Sequence, residues 1–297
     1  MGRVTPVSEP THRVPSTDGV DIALHDLGGD GPPVVLCHPT GFHGMVWAPV
    51  ARSLAERFHC WALDFRGHGD STLPASGDMR WQGMADDVLA VAAVVAPDGQ
   101  PLLGVGHSMG GCAQVLAEQA RPGTWAALWC YEPIVFPRPE GSTPGNFMAA
   151  TARKRRSVFP SYEAAFANYH AKPPMNGFDP DALHAYVDYA FRPLPGGDAD
   201  GDGAGEGVEL KCSPETEARV FEGGIDNGAF PRLGEVACPV TVAAGNDGGP
   251  PAQMAPLVAE ALQHGSLRPF PELTHFGPME DPAAIARAIT LDFVAVL

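Results

Sequence analysis

The sequence predicts an α/β protein in which helices flank a mostly parallel central sheet, with one mostly helical insertion in the chain. Short apolar runs of strand character alternate with segments of helical periodicity along most of the 297 residues. Such alternation is typical of right-handed βαβ units, which build parallel sheets. The alternation stops between residues 137 and 235, and this interruption predicts the insertion. The interrupted segment is rich in aromatic residues and has helical spacing at 161–170 and 179–191.

The first half of the chain contains predicted strands that alternate with predicted helices. Each strand is a short apolar run, and each helix has apolar residues at helical spacing. The helix at 84–95 also has Asp86 and Asp87 in its first turn, where carboxylates suit the helix dipole. The strands are VVLC (34–37), HCWALD (59–64), PLLGVG (101–106) and WAALWCYE (125–132), and the helices cover 47–58, 84–95 and 108–120.

After the interruption the alternation resumes, with strands at 239–245 and 266–270 and helices at 251–262 and 281–296. An insertion that leaves after one strand and returns before the next would cover the carboxyl ends of the strands, where open α/β sheets bind ligands. We therefore expect a core formed by residues 1–136 and 236–297 and a cap formed by residues 137–235.

The composition excludes several classes of partner. Acidic residues outnumber basic ones by 35 to 19, and the net charge of −16 disfavours contact with nucleic acid and with anionic membranes. The one basic run, RKRR at 153–156, is predicted to be a solvated helix face, and the alternative is an interaction patch. No apolar run approaches the ~18 residues of a membrane span. The first residues are polar and interrupted by proline, unlike a signal peptide.

The cysteine pattern indicates reduced thiols. The six cysteines include no CxxC pair, and four of them lie in apolar segments, where a free cysteine behaves as a small hydrophobe. Without a secretion signal this pattern predicts a cytoplasmic protein. We expect a small-molecule substrate and no metal or other cofactor. A homodimer is compatible with these observations.

The strongest functional signal is GHSMG at 106–110, which matches the pattern G-x-S-x-G. A predicted strand precedes it and an Ala-rich predicted helix follows it. A serine on such a sharp strand-to-helix turn projects from the edge of the sheet, and the flanking glycines remove side chains that would clash in the turn. Ser108 is therefore the candidate nucleophile, and the alternative is a serine with only a structural role in the turn.

With this motif the sequence resembles the α/β-hydrolase fold family over residues 20–136 and 236–297, and three further segments support the resemblance. LCHPTGFHGMVW (36–47) looks like the family's oxyanion loop, LDFRGHGDS (63–71) is similar to its turn D-x-R-G-x-G-x-S, and LTHFGPMEDP (273–282) looks like its histidine loop. The resemblance implies a serine hydrolase of the esterase or lactonase type with a helical cap.

The resemblance implies that His275 is the catalytic base, because it lies after the last predicted strand and before the last predicted helix. The alternative is a loop histidine with a structural role. His107 is expected to point away from the nucleophile that it precedes. His38 and His68 are expected to be hydrogen-bonding scaffolds, and His43 is a candidate for the pocket lining.

The base needs a carboxylate that holds its tautomer and stabilises the imidazolium. In most of the family the acid lies three residues after the glycine that ends the strand following the cap. That count from Gly245 reaches Gly248, and Asp247 is one position early. Some members, such as haloalkane dehalogenases, place the acid directly after the strand that follows the nucleophile helix, which is Glu132 in this sequence. We therefore expect Glu132 to be the acid, with Asp247 as the alternative acid and a structural ion pair as the alternative role for Glu132.

The oxyanion hole is expected to consist of two backbone N–H groups. One belongs to Met109, which follows the nucleophile. The other lies in the oxyanion loop, where Pro39 occupies the usual glycine position and has no N–H to donate. Thr40 is therefore the expected second donor. If the register is shifted, Gly41 or Phe42 takes this role.

One acidic stretch points to a different ligand. DADGDGAGEGVE (198–209) fits the pattern of an EF-hand calcium loop. The matching positions are Asp198, Asp200, Asp202, Gly203 and Glu209. Prolines interrupt both flanks, where an EF-hand needs helices. The expected structure is an acidic surface turn, and calcium binding is the alternative.

Taken together, these residues predict a serine hydrolase that cleaves a carboxylic ester or lactone of a small apolar substrate through an acyl-enzyme on Ser108. A serine argues against a haloalkane dehalogenase or an epoxide hydrolase, which are expected to use aspartate. Hydrolysis of a carbon–carbon bond and perhydrolase activity are compatible with the same residues. The alternative of another class is a non-catalytic small-molecule receptor, because this fold also hosts receptors that keep the triad.

Overall fold

The structure, a computed structural model, describes residues 10–137, 146–194, 207–224 and 226–297. Over these ranges the chain forms a sheet of eight strands, a sheet of three strands and ten α-helices. The strands are β1 (His12–Pro15), β2 (Asp21–Asp26), β3 (Pro33–Cys37), β4 (His59–Leu63), β5 (Leu103–His107), β6 (Ala127–Tyr131), β7 (Val158–Phe159), β8 (Phe191–Pro193), β9 (Val208–Leu210), β10 (Val240–Ala244) and β11 (Gly265–Pro269). The helices are α1 (Ala48–Leu54), α2 (Trp81–Val95), α3 (Met109–Ala120), α4 (Phe147–Ala152), α5 (Tyr162–His170), α6 (Pro180–Ala190), α7 (Pro214–Gly223), α8 (Pro250–Ala261), α9 (Gly277–Glu280) and α10 (Pro282–Val294). No helix of the described ranges is long and apolar enough to cross a membrane.

The eight-stranded sheet has the order β1-β2-β4-β3-β5-β6-β10-β11. The strands from β4 to β11 in this order pair in parallel, which confirms the mostly parallel sheet predicted from the alternation of strands and helices. β1 and β2 add an antiparallel pair at one edge. The sequence pattern does not predict this pair, because β1 is a short edge strand with a single buried side chain.

Helices cover both faces of the large sheet and form a hydrophobic cluster on each. On one face α2, α3 and α8 contribute buried side chains such as Val88, Leu116 and Val258. On the other face α1 and α10 contribute side chains such as Leu54 and Ile289. Because both faces are covered, β5 and β6 are buried along their whole length, and this explains why their residues are mostly apolar.

The insertion leaves the sheet after β6 and returns before β10, and these two strands are neighbours. Its described part contains α4 to α7 and the small antiparallel sheet of β7, β9 and β8. The strands of this sheet have only two or three residues, too few for a period to show in the sequence. The described part of the insertion is mostly helical, as predicted, and the boundaries at 137 and 235 stay predictions.

Polar side chains attach the insertion to the core. The indole Nε1 of Trp81 in α2 donates to the carbonyl of Val220 in α7 at 2.9 Å. The ammonium of Lys211 lies 2.7 Å from a carboxylate oxygen of Asp70, and the Lys211 side chain is only 9% exposed. Because these bonds are partly shielded from water, they hold the insertion over the carboxyl ends of the central strands.

The prediction for the basic run at 153–156 is wrong. The run forms a turn after α4 rather than a helix face, and the Arg155 side chain is only 22% exposed. Its guanidinium pairs with the carboxylate of Glu217, which lies 62 residues further along the chain. A local sequence pattern does not reveal a partner 62 residues away. The pattern therefore predicts that the whole run is exposed to solvent, although Arg155 is largely buried.

Most of the candidate calcium loop, residues 198–206, lies outside the described residues. Its last position, Glu209, lies in β9, and its Oε1 is 2.8 Å from Nε of Arg192. In the part of the chain that the structure describes, no group of three or more His, Cys, Asp or Glu side chains is arranged to hold a metal ion.

Candidate active site

Ser108 lies in the tight turn between β5 and α3, at the carboxyl end of a central strand. Its backbone has φ 56° and ψ −115°, a conformation that residues other than glycine rarely adopt. The turn is so tight that a Cβ on Gly106 would lie 2.5 Å from the backbone nitrogen of Gly111. The N–H of Ser108 donates to the carbonyl of Tyr131 at 2.9 Å and ties the turn to β6. The strained turn thus places the hydroxyl at the end of the sheet where the carboxyl ends of the parallel strands lie.

His275 lies in the loop between β11 and α9 and is half-buried. Its Nε2 is 3.2 Å from Oγ of Ser108, and its Nδ1 is 2.6 Å from Oε2 of Glu132. With the proton on Nδ1, Nε2 is free to accept the proton of the serine hydroxyl. The structure therefore brings together the three side chains that the sequence selects as nucleophile, base and acid.

Glu132 follows β6 directly and is fully buried. Its φ of 43° turns the chain sharply at the end of the strand, and its own N–H donates to the carbonyl of Ala243 at 2.8 Å. Oε1 accepts the N–H of Gly245 at 2.8 Å, while Oε2 binds His275. Both carboxylate oxygens thus have a donor, which offsets the cost of burying the charge.

Asp247, the alternative acid, is exposed and lies beside the main chain of His275 rather than its ring. Its Oδ2 accepts the backbone N–H of His275 at 3.1 Å, and its Oδ1 accepts the N–H of Gly249 at 2.8 Å. The hydrogen bonds of the imidazole ring within the described residues go to Glu132 and Ser108. The arrangement therefore favours Glu132 as the partner of the ring.

The N–H of Thr40 is oriented by its own peptide group. In a trans peptide the C=O and the N–H point in opposite directions. The carbonyl of Pro39, which belongs to this peptide, accepts the N–H of Phe42 at 3.2 Å, and the N–H of Gly41 donates to Nε2 of His68 at 3.2 Å. Gly41 and Phe42 use their N–H groups in this way, whereas the N–H of Thr40 has no acceptor among the described residues. It is therefore available to a ligand.

The N–H of Met109 is available for a different reason. Met109 begins α3, and the first N–H groups of a helix have no acceptor within it. The Ser108 carbonyl, on the same peptide, accepts the N–H groups of Cys112 and Ile134, both at 3.2 Å. The start of α3 also packs closely on the oxyanion loop, since a Cβ on Gly110 would lie 2.3 Å from the carbonyl oxygen of Cys37. The N–H groups of Met109 and Thr40 thus lie on two segments that pack against each other.

His38 and His68 form a scaffold beneath the oxyanion loop, as predicted. Nε2 of His38 accepts the N–H of Phe65 at 3.0 Å, and Nε2 of His68 accepts the N–H of Gly41. Burial lowers the pKa of His68 to about 4 and the pKa of His38 well below its ordinary value. Both rings are therefore neutral at pH 7, which is the form that can accept these hydrogen bonds.

His43 and His107 have surroundings that the sequence did not reveal. His43 is not among the residues that line the cavity; its Nε2 lies 3.0 Å from the carbonyl of Tyr186, and burial lowers its pKa to about 4. His107 is buried, as a structural residue should be, but its ring centre lies 4.9 Å from that of His275. Burial also lowers the pKa of His107. The His107 ring that packs against the imidazole of His275 is therefore neutral at pH 7.

Acidification from pH 7.5 to pH 5 is expected to lower the melting temperature by about 5 °C. His43 and His68 have pKa values of about 4 in the folded protein and about 6.5 when unfolded, so the unfolded chain binds more protons. Their contribution is fully present above pH 6.5 and is lost as the pH falls towards 4, with about 2 kcal/mol lost for each at pH 5. Thermal unfolding followed by circular dichroism measures the shift. The control is His264→Gln, which removes an exposed histidine and is expected to show the same shift as the wild type. Equal melting temperatures of the wild type at the two pH values would contradict the expectation.

A cavity of about 910 Å³ adjoins Ser108, His275 and Thr40. Its wall is mostly apolar and aromatic, so a bound apolar group would be removed from water. The sequence indicates this only through the abundance of aromatic residues in the insertion, and it does not single out the lining residues in the core. Side chains that form the apolar wall include Trp81, Ile134, Phe136, Met148, Phe221 and Phe230.

Known proteins with similar sequences include esterases. A family model described as "Alpha/beta hydrolase family" matches residues 34–288. A probable protein phosphatase methylesterase 1 of Caenorhabditis elegans is 32% identical over 155 residues, which cover 50% of this chain and 41% of that protein. A pimeloyl-(acyl-carrier protein) methyl ester esterase of Methylococcus capsulatus is 33% identical over 103 residues, which cover 35% of this chain and 37% of that protein. The chain thus matches less than half the length of these curated relatives.

Solved structures resemble the whole chain. An E-2-(acetamidomethylene)succinate hydrolase superposes with a TM-score of 0.76 at 20% identity, covering 96% of this chain and 98% of that chain. The esterase RhEst1 from Rhodococcus sp. ECU1013 superposes with a TM-score of 0.71 at 22% identity, covering 96% of this chain and 99% of that chain. At these identities the likeness concerns the fold alone, and it confirms the predicted fold class.

Proposed function

This chain belongs to the alpha/beta hydrolase family, and from that premise we propose that it is a serine hydrolase that cleaves carboxylic esters through an acyl-enzyme on Ser108. The observation that carries the proposal is the continuous chain of hydrogen bonds at the site. Oγ of Ser108 lies 3.2 Å from Nε2 of His275, whose Nδ1 lies 2.6 Å from the buried carboxylate of Glu132. A nucleophile, a base and a group that orients the base are the components of acyl transfer.

In the proposed reaction His275 Nε2 takes the proton of Ser108 as Oγ bonds to the carbonyl carbon of the ester. The carbonyl oxygen becomes an oxyanion, which accepts hydrogen bonds from the N–H groups of Met109 and Thr40. When the tetrahedral intermediate collapses, the bond to the alcohol oxygen breaks and His275 gives it the proton. Water then attacks the acyl-enzyme with His275 as base, which releases the acid and restores Ser108.

Glu132 has two effects in this mechanism. Its charge stabilises the imidazolium that forms when His275 takes the proton, and its hydrogen bond keeps the proton of neutral His275 on Nδ1. The N–H of Gly245 holds the second carboxylate oxygen, so the acid is fixed before the substrate binds. Such preorganisation avoids rearrangement during the reaction.

The apolar wall of the cavity supports an apolar ester or a lactone as substrate. A volume of about 910 Å³ lies within the range of pockets that hold ligands of drug size. The names of the relatives, which act on methyl esters, make the methyl ester of a larger acid one candidate. A lactone fits the same mechanism, because its leaving oxygen remains tethered to the acyl group.

Two measurements on the wild-type protein test the proposal. The protein is expected to hydrolyse p-nitrophenyl butyrate, and a fluorophosphonate is expected to modify the peptide that contains Ser108, located by mass spectrometry. Modification without ester hydrolysis would favour a carbon–carbon bond hydrolase or a perhydrolase. If the protein neither hydrolyses the ester nor reacts with the fluorophosphonate, the proposal is contradicted and a non-catalytic receptor is favoured.

A further inference from the structure

Arg155 forms a polar network inside the insertion. Its Nη1 pairs with the carboxylate of Glu217 in α7, a residue only 6% exposed. Its Nη2 donates to the hydroxyl of Tyr186 at 2.7 Å and to the hydroxyl of Tyr169 at 3.3 Å. The ion pair and the two hydroxyl groups satisfy each other at partly buried positions, so removal of Arg155 takes this partner from Glu217 and from both hydroxyl groups.

The network packs on the backbone of Gly41, which belongs to the oxyanion loop of the core. Gly41 has φ 79°, and a Cβ on it would lie 2.6 Å from Oε1 of Glu217 and 3.1 Å from Nη1 of Arg155. Glycine fits this position both for its backbone conformation and for the space available. Gly41 also donates its N–H to His68. One residue of the loop is thus held by a histidine of the core and by an ion pair of the insertion.

Aromatic contacts extend the same interface along the oxyanion loop. The ring centre of Tyr186, which accepts the hydrogen bond of Arg155, lies 4.9 Å from that of Phe42 and 5.8 Å from that of His43. The His43 ring is stacked on Tyr186, and its Nε2 contacts the carbonyl of that residue. The network therefore contacts three consecutive residues of the loop.

We propose that Arg155 and Glu217 are positioning residues, which hold the oxyanion loop so that the N–H of Thr40 faces the carbonyl attacked by Ser108; this inference rests on the proposed function. Thr40 precedes Gly41 directly, so a displacement of Gly41 moves the peptide that carries the donor. Without Arg155, the carboxylate of Glu217 is left unpaired against the loop and must move or become hydrated. A misplacement of about 1 Å in a group that binds the transition state lowers the rate by about 100-fold.

The test compares Arg155→Met with a matched control in the same basic run. Arg153 pairs with Glu215 and Glu222 at 2.8 and 2.7 Å, at more exposed positions. Arg153→Met removes an arginine and its ion pairs from the insertion without changing the contacts of Gly41. A third variant, Tyr186→Phe, removes one hydrogen bond of Arg155 and keeps the ion pair.

In steady-state hydrolysis of p-nitrophenyl butyrate, Arg155→Met is expected to lower kcat by about 10- to 100-fold, with KM changed by less than about threefold. Tyr186→Phe is expected to lower kcat less, and Arg153→Met to leave it within about twofold. A trifluoromethyl ketone, which forms an oxyanion on Ser108, is expected to lose affinity in proportion to kcat. A variant that only destabilised the fold would not show this proportionality.

Hydrogen exchange of the peptide that covers residues 38–43 gives a readout independent of activity. Exchange is expected to be faster in Arg155→Met than in the wild type, and unchanged in Arg153→Met. Unchanged exchange, or an unchanged kcat in folded Arg155→Met, would overturn the proposal. If Arg155→Met does not fold, Glu217→Gln decides, because it removes the charge that pairs with Arg155, and wild-type exchange and kcat in that variant would also overturn the proposal. A wild type without esterase activity would contradict the proposed function, while the exchange experiment would still decide whether the insertion holds the loop.

Discussion

Replacement of Glu132 by glutamine is expected to lower kcat for ester hydrolysis by about 10³- to 10⁴-fold. The carboxylate accepts two N–H groups, one from the ring of His275 and one from Gly245. A carboxamide has only one oxygen, so it can accept only one of them. If its NH₂ group faces Nδ1, the ring must carry its proton on Nε2 and cannot accept the proton of Ser108. In either orientation the negative charge that stabilises the imidazolium is lost.

Asp247→Asn is the matched control for this measurement. Asp247 lies at the end of the neighbouring strand and accepts the backbone N–H of His275 instead of contacting its ring. An asparagine oxygen can still accept that N–H, so kcat is expected to stay within about tenfold of the wild type. A large loss in Asp247→Asn combined with near wild-type activity in Glu132→Gln would reverse the assignment of the acid. Circular dichroism of both variants establishes that they are folded.

Ser108→Ala is expected to lower kcat by about 10⁶-fold and to abolish modification by a fluorophosphonate, because the atom that forms the acyl-enzyme is missing. Alanine removes one oxygen and leaves the apolar wall of the cavity unchanged. The affinity for an uncleaved apolar ligand, measured by calorimetry, is therefore expected to stay within about threefold.

The same variant separates an enzyme from a receptor. Hydrolysis at the wild-type rate by purified Ser108→Ala would contradict the acyl-enzyme mechanism, because alanine has no Oγ to form the acyl-enzyme. Tight ligand binding in both proteins, with no turnover in either, would favour the receptor. The fold alone does not decide between these outcomes, because function depends on the site that a fold carries.

The insertion illustrates how far local patterns reach. Its helices α5 and α6 follow from helical spacing, because the period is repeated within a single segment. The partner of Arg155 does not follow from any pattern, since Glu217 reaches it only when α7 packs beside the turn after α4. The small sheet of the insertion is also missed, because its strands are held by pairing between distant segments.

The sequence by itself determined the alternation of strands and helices and the turn at Ser108. Both depend on residues close together in the chain: apolar periodicity defines each element, and the glycines around Ser108 permit a turn that side chains would obstruct. The expected donor in the oxyanion loop also follows from neighbouring residues, because Pro39 has no N–H and the next residue is Thr40.

Only the tertiary structure decided which carboxylate contacts the imidazole ring of His275. Glu132 and Asp247 follow neighbouring strands of one sheet, β6 and β10, so their spacing in the sequence allows either. The choice depends on the direction of each side chain, which is set by the positive φ at Glu132 and by the N–H of Gly245 that binds its second oxygen. Asp247 instead turns outward to main-chain N–H groups. Such directions arise from the packing of segments far apart in the chain, and local sequence does not encode them.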